Sequence, residues 1–365
     1  MPAGGAGNDM QQINELSLND RSREILQWVI STFVTTGKPV GSRVIARCSR
    51  ERLSAATVRN IMADLEEMGF LKQPHPSAGR VPTDKGYRLY VDYLLEKKDI
   101  LPRERDLIDR TLQSEDTPAH LMHRTSQLLS QVSKNLGIVV SPPISRVALE
   151  HIQFVRLAED RILVILVSPL SIVQNRVIHP VEDYSQTELD QAARYIVEHF
   201  KNKSLVEIKL MISRMVQEER AVYDRLMRRV IALGAQTFSG TGDDSDAEIY
   251  LEGTANLIKM PEFSDIGRVT AFFEAIEQKN RLVSLIIDCI RGDSEEVKIT
   301  IGAENSLAGI EDCALITSRY MVDDRTHGSL GILGPTRMEY ARAISLVEYV
   351  ARLFGQVLRQ QGRGD

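Results

Sequence analysis

Thr57, Arg59 and Asn60 are the residues whose types and spacing best match a defined chemistry. At 100° per residue they lie on or beside a face with Ala56, Ala63 and Glu67, opposite an apolar stripe of Val58, Ile61, Met62 and Leu65. Asn and Arg pair bidentately with base edges, and small neighbours let a helix press close to another surface. The chemistry is hydrogen-bonded reading of a DNA groove. Further on, Arg80, Lys85 and Arg88 follow a Pro/Ser/Gly tip, Gln73-Pro-His-Pro-Ser-Ala-Gly79, where cations suit phosphate oxygens.

Other chemistries find less support. No nucleophile elbow, phosphate loop or dinucleotide fingerprint occurs, so no catalytic residue and no cofactor is assigned, and the chain reads as a non-enzyme. His120 and His123 sit one turn apart, a spacing that can hold a metal. Without a third ligand nearby they read as a solvated helix face, and no metal site is assigned. Gly240 to Glu248 is dense in carboxylates but lacks the Gly-then-Glu register of a calcium loop. Gly302-Ala-Glu-Asn305 and Gly334-Pro-Thr-Arg337 stand at expected strand ends and read as turns. Cys48, Cys289 and Cys313 are scattered and odd in number, which fits reduced thiols in a cytoplasm.

The 365 residues suffice for two or three domains, and 43% hydrophobic with 26% charged residues is a globular composition. No apolar run approaches the ~20 residues of a membrane span. The first residues, MPAGGAGNDMQQ, have neither the basic nor the apolar segment of a secretion signal and read as a disordered leader. The net charge of −5 conceals a split. Residues 21–90 hold 12 Lys/Arg against 6 Asp/Glu, a balance of +6, which leaves −11 for the remainder. A basic end on an acidic body favours contact with DNA through that end alone.

The elements that must position these residues follow from caps and periodicity. Asn19 or Asp20 caps a helix over 19–36, with Ile25, Trp28, Val29, Thr32 and Phe33 inward, and Gly37-Lys-Pro39 ends it. Ser42 caps a short helix to Cys48, with Val44, Ile45 and Cys48 inward. Ser54 caps a third, closed by Gly69, and Phe70 to Val81 supplies two short strands. Three helices and a basic hairpin within ~70 residues form a winged helix-turn-helix. A further helix is expected over 87–95, a linker over 99–104, and helices at 103–114 and 118–136. Strand texture follows from Gly137 to Pro180, with a turn at Glu159-Asp160 and Ile162–Val167 apolar on both faces, as in a central strand. Three amphipathic stripes come next, Leu189–Phe200, Leu205–Val216 and Val222–Leu233. They have too little core of their own and are expected to pack against a second copy. Strands are read at 247–251, 282–288, 296–301, 314–320 and 329–333, and helices at 265–279 and 338–359. The whole is an α+β chain.

Ser54-Ala-Ala-Thr-Val-Arg-Asn-Ile-Met-Ala-Asp-Leu-Glu66, Ser77-Ala-Gly-Arg-Val-Pro-Thr-Asp-Lys-Gly-Tyr-Arg88, Tyr90-Val-Asp92, Ile301-Gly-Ala-Glu-Asn305 and Gly331-Ile-Leu-Gly-Pro-Thr-Arg-Met338 together resemble the HrcA family of bacterial heat-inducible transcription repressors. The resemblance runs from about residue 16 to 358. Beyond the leader (1–18), which looks peculiar to this chain, it implies an α+β multidomain chain: a winged helix-turn-helix domain (19–98) and a GAF-like α/β domain with an antiparallel sheet. The first part of that domain, with its leading helices, spans 99–182; its second part, with the C-terminal helix, spans 241–365. A helical dimerisation domain is inserted at 183–240. The expected DNA-contacting set is Ser54, Ala56, Thr57, Arg59 and Asn60 from the helix, with Ser77, Arg80, Lys85 and Arg88 from the wing and its exit. The resemblance further implies a cytoplasmic homodimer that binds double-stranded DNA at an inverted repeat (the CIRCE element) ahead of chaperone operons. Heat releases it, the GroEL chaperonin is its partner, and no membrane is involved. The alternative is a regulator governed by a small effector bound in the GAF-like domain.

Overall fold

The computed structural model describes residues 18–48, 53–96, 98–113, 116–143, 147–157, 161–168, 173–180, 182–218, 232–237, 247–289, 296–323 and 326–361. The leader up to residue 17, the Glu159-Asp160 turn, the stripe residues Val222, Leu226 and Met227, and the acidic loop 239–246 lie outside these. So do the side chains of Met215 and Val216.

The N-terminal unit consists of α1 (Asp20–Thr36), α2 (Ser42–Cys48), α3 (Ala55–Glu67), the hairpin strands β1 (Leu71–Lys72) and β2 (Val81–Pro82), and α4 (Asp84–Leu89). α4 runs on into a wider π-turn, Tyr90–Leu94, so this helix begins three residues before the sequence-based bound. Asn19 caps α1 by accepting the Ser22 amide at 2.8 Å. The buried face of α1 is Ile25, Leu26, Val29 and Ile30, one position round from the expected stripe, with Trp28, Thr32 and Phe33 half-buried. In α2 only Ile45 is buried. Val44 (48% exposed) and Cys48 point outward, contrary to expectation, because a seven-residue helix has room for one inward turn. Gly69, at φ +80°, closes α3 as expected: its amide reaches the Glu66 carbonyl and the Phe70 amide the Leu65 carbonyl, both at 2.9 Å. Val40 and Arg80 exchange backbone bonds of 2.8 and 2.9 Å, which adds a one-residue third strand that periodicity did not reveal. Gly79 permits this approach, since a Cβ there would overlap the Val40 backbone.

Beyond the N-terminal unit come α5 (Pro102–Leu112), α6 (Pro118–Ser133), β3 (Leu136–Val140), β4 (His151–Arg156), β5 (Ile162–Val167), β6 (Val173–Ile178), α7 (Gln186–Phe200) and α8 (Leu205–Glu218). Then follow β7 (Ile249–Glu252), α9 (Thr254–Ile258), α10 (Ile266–Glu277), α11 (Lys279–Cys289), β8 (Lys298–Ile301), β9 (Cys313–Met321), β10 (His327–Pro335) and α12 (Tyr340–Gln361). Among the described residues no helix is long and apolar enough to cross a membrane.

One antiparallel sheet has the order β7-β3-β10-β9-β8. Val139, Ile316, Leu330 and Ile332 pack on one face with α6 and α12. Leu136, Ile138, Leu315 and Leu333 pack on the other with α10 and α11. Burial on both faces explains why β3, residues 314–316 of β9 and residues 330–333 of β10 read as apolar runs with little polar alternation. The segment 282–288, expected as a strand, is helical. Leu282, Val283, Ile286 and Ile287 recur at helical spacing and are buried, but so short an apolar run reads equally well in either period.

β4, β5 and β6 do not join that sheet but form a three-stranded one of their own. β5 is central, as expected, yet buried on one face only: Ile162, Val164 and Leu166 point inward while Leu163, Ile165 and Val167 are half-buried. Against the inner face lie Leu189, Ala192, Ile196 and Phe200 of α7, and Leu205, Ile208 and Ile212 of α8, which makes a separate core. The described residues of the first two helical stripes therefore find a partner within the same chain, not in the second copy that the sequence suggests. Leu149 is tied to the turn after α7 by bonds with Lys203 and Asn202, both 2.9 Å, so this unit begins near residue 147.

Candidate nucleic-acid interface

The exposed side of α3 is built from its cap outward. The Ser54 hydroxyl accepts the Thr57 amide at 3.0 Å and stands 2.9 Å from the Thr57 hydroxyl, so the two side chains set the first turn together. Val58, Met62 and Leu65 anchor the helix in the core, which leaves Ala56, Thr57, Arg59 and Asn60 exposed on one side. A cleft of about 470 Å³ opens between this helix, the start of α2 and the wing, lined by Arg43, Arg59, Met62, Gln73, Ser77 and Arg80 among others. Its lining brings Arg43, Arg59 and Arg80 together with small residues such as Gly41, Ser42 and Ser77, and a strip of phosphodiester backbone is the kind of object it would admit.

The wing tip is held from inside. The Gln73 amide group donates to the Pro76 and Ala78 carbonyls, each at 2.9 Å, and the Ala78 amide to the His75 carbonyl at 2.8 Å. Ser77 is thereby presented at an exposed tip beside the cleft.

The three basic residues expected on phosphates are placed differently from one another. Arg80 forms an ion pair with Glu66 at 2.8 Å, its side chain only 19% exposed, and so braces the wing against α3. Lys85 donates to the Met68 carbonyl at 2.9 Å and lies over the Phe70 ring, closing the carbonyl end of α3 while staying exposed. Arg88 points away from the cleft. It binds Glu304 through both forks of its guanidinium, the Ile299 carbonyl at 2.7 Å and Asp92 at 3.2 Å. Burial works against the charged form of Glu304, but the bonds from Arg88 and from the Ile301 amide outweigh it and hold the carboxyl below its usual range.

Arg43 and Gln73 were not singled out by the sequence reasoning, yet both line the cleft. The signal for Arg43 was its place in the first turn of the helix before α3, which in helix-turn-helix docking crosses the DNA backbone. The turn motifs at 302–305 and 334–337 also prove to do more than bend the chain, since Glu304 and Arg337 both reach the N-terminal unit. His120 and His123 lie exposed on α6, and among the described residues no cluster of three metal-ligating side chains occurs.

Comparison with known proteins places these features. Residues 17–92 match the profile described as winged helix-turn-helix transcription repressor, HrcA DNA-binding, and residues 119–344 match the HrcA protein C terminal domain. A heat-inducible transcription repressor HrcA of Geobacter sulfurreducens is 42% identical over 342 residues, covering 93% of this chain and 98% of that one. The protein of the same name from Syntrophobacter fumaroxidans is 36% identical, covering 94% and 99%. A crystal structure titled only as a hypothetical protein aligns with a TM-score of 0.59 at 21% identity, covering 94% of this chain and 99% of that one, a likeness of fold.

Proposed function

The chain belongs to the HrcA family of heat-inducible transcription repressors, and from that premise we propose how it holds its operator. Its function is heat-shock transcriptional repression of the HrcA type. The reading head is the 18–94 unit. α3 enters the major groove with Ala56, Thr57, Arg59 and Asn60 toward base edges, Ser54 at its start, and Ser77 at the wing tip beside the phosphates. Arg43 joins this set from α2. Arg80 and Lys85 act chiefly by holding wing and helix together, and Arg88 serves the junction with the rest of the chain. The single observation that carries this reading is the exposure of Thr57, Arg59 and Asn60 on one side of α3, with Arg59 lining a cleft shared with the wing.

The operator is an inverted repeat of the CIRCE type ahead of chaperone operons, bound by a homodimer in the cytoplasm. The five-stranded unit is the GAF-like domain. The inserted dimerisation domain then runs from about residue 147 rather than 183, and its contact face is the open side of the three-stranded sheet. Val155, Leu163, Ile165, Val167, Val173 and Val177 share that side by register, and Val173 and Val177 are 60% and 44% exposed. A second copy laid on it would bury this apolar surface. When heat separates the copies, the same face becomes a surface that the GroEL chaperonin can capture.

An effector-controlled reading has less support. A cleft of about 260 Å³ includes Arg337 and Arg342, but these guanidiniums already bind Glu262 and Glu104.

The test is footprinting of the purified full-length protein on promoter regions of its own genome with no metabolite added. Protection of both arms of a palindrome upstream of chaperone genes is expected. Binding that appears only with a cell extract's small-molecule fraction would favour the effector reading and overturn this one.

A further inference from the structure

The reading head is attached to the five-stranded domain by more than the linker. Arg88 forks onto Glu304 and the Ile299 carbonyl. Asp84, in the first turn of α4, accepts the Ala303 amide at 3.1 Å. At a second place, Arg337 donates to the Val34 carbonyl near the end of α1 at 2.9 Å, steadied by Glu262. Between these lies Tyr87, buried, with its ring centroid 5.7 Å from that of Tyr340 on α12. Two elements of the head are thus fastened to two separate turns, with an apolar contact between them. Such an arrangement resists rotation as well as translation.

Gly302 shows how closely the surfaces meet. It sits at φ +59°, and a Cβ there would collide with the Asp84 carboxylate. The contacts at Gly302 and Glu304 come from one turn and those of Arg337 from another. Neither turn touches the cleft beside α3.

Resting on the reading above, in which two copies engage an inverted repeat, we infer that this joint sets the half-site spacing the dimer accepts, with Arg88, Asp84, Glu304 and Arg337 as positioning residues. Each base pair added between half-sites moves one of them by about 3.4 Å and turns it by roughly 35°. Heads on loose tethers would follow such a shift. Heads fixed at two points would not, so a misspaced repeat would be held by one head alone and lose the gain from bivalent binding, on the order of a hundredfold.

The experiment measures binding of full-length protein to the repeat recovered by footprinting, to versions with one or two base pairs added or removed at its centre, and to a single half-site. Wild type, Glu304→Gln and Gly302→Ala are compared. Glu304→Gln is nearly isosteric and is the informative variant if Gly302→Ala fails to fold. Wild type should prefer the native spacing over the two-base-pair shifts by roughly a hundredfold. The variants should keep half-site affinity within about twofold, weaken on the native repeat and discriminate spacing by less than about tenfold. Unchanged discrimination in a folded variant would overturn the inference, as would tighter operator binding, which would mean that the joint opposes DNA engagement. If wild type protects no palindrome at all, the operator reading itself fails and this inference falls with it.

Discussion

Asn60 and Arg59 carry the sharpest consequence at the scale of single residues. Both are exposed and neither is needed by the core, so Asn60→Ala and Arg59→Ala should each cost about 1–3 kcal/mol of operator binding with little loss on random DNA. Equal loss on both, in competition binding, would move base reading to another surface. Arg43→Ala should instead weaken all sequences alike and lower the salt slope by about 1, whereas Arg80→Ala should act through the wing's position and leave that slope nearly unchanged. Titrating affinity against salt separates the two. The face of α3 was legible from sequence because its chemistry is local: a cap, an apolar stripe and what lies opposite. The fates of Arg80 and Arg88 were not, because Glu66 and Glu304 reach them through tertiary folding, in the second case from 216 positions away.

Elements show the same division between what is local and what is not. α1, α3, α6 and α12 carry clear periodicity, and their expected bounds differ from the structure by a few residues. Pairing between strands leaves no such mark. β4, β5 and β6 look in sequence like further strands of the sheet that holds β3, and only their partners reveal a separate unit. The described residues of the α7 and α8 stripes pack on a sheet of the same chain, and nothing in their spacing distinguishes such a sheet from a second copy. The surface proposed for the second copy therefore moves to the outer face of the three-stranded sheet. Val177→Lys or Ile165→Lys places a charge on that face without touching the inner core. Either should raise the dimer dissociation constant more than tenfold, about 1.4 kcal/mol or more, in sedimentation equilibrium. A dimer of unchanged strength in both variants would remove this face from the contact.

On the scale of the whole molecule, the motifs that look most independent in sequence turn out to be neighbours. The wing's exit at 83–88, the turn at 302–304 and Arg337 lie on one seam. Beneath that seam the apolar interior does not stop: Ile25, Val29, Val58 and Tyr87 of the reading head belong to one continuous cluster with Val139, Ile316, Val347 and Phe354, while β4 to α8 keep a core apart. Units that share an interior tend to melt as one, and units with separate interiors can melt apart. Scanning calorimetry should accordingly resolve two endotherms, one for the insertion and one for the head together with the five-stranded domain. Deleting residues 19–94 should alter only the second, and a head that unfolds in a third, independent transition would contradict this. Warming would then silence the repressor either by undoing the insertion first or by dissolving head and body in a single step. No temperature would leave an intact body carrying an unfolded reader, so any body that still stands also carries a head able to grip DNA.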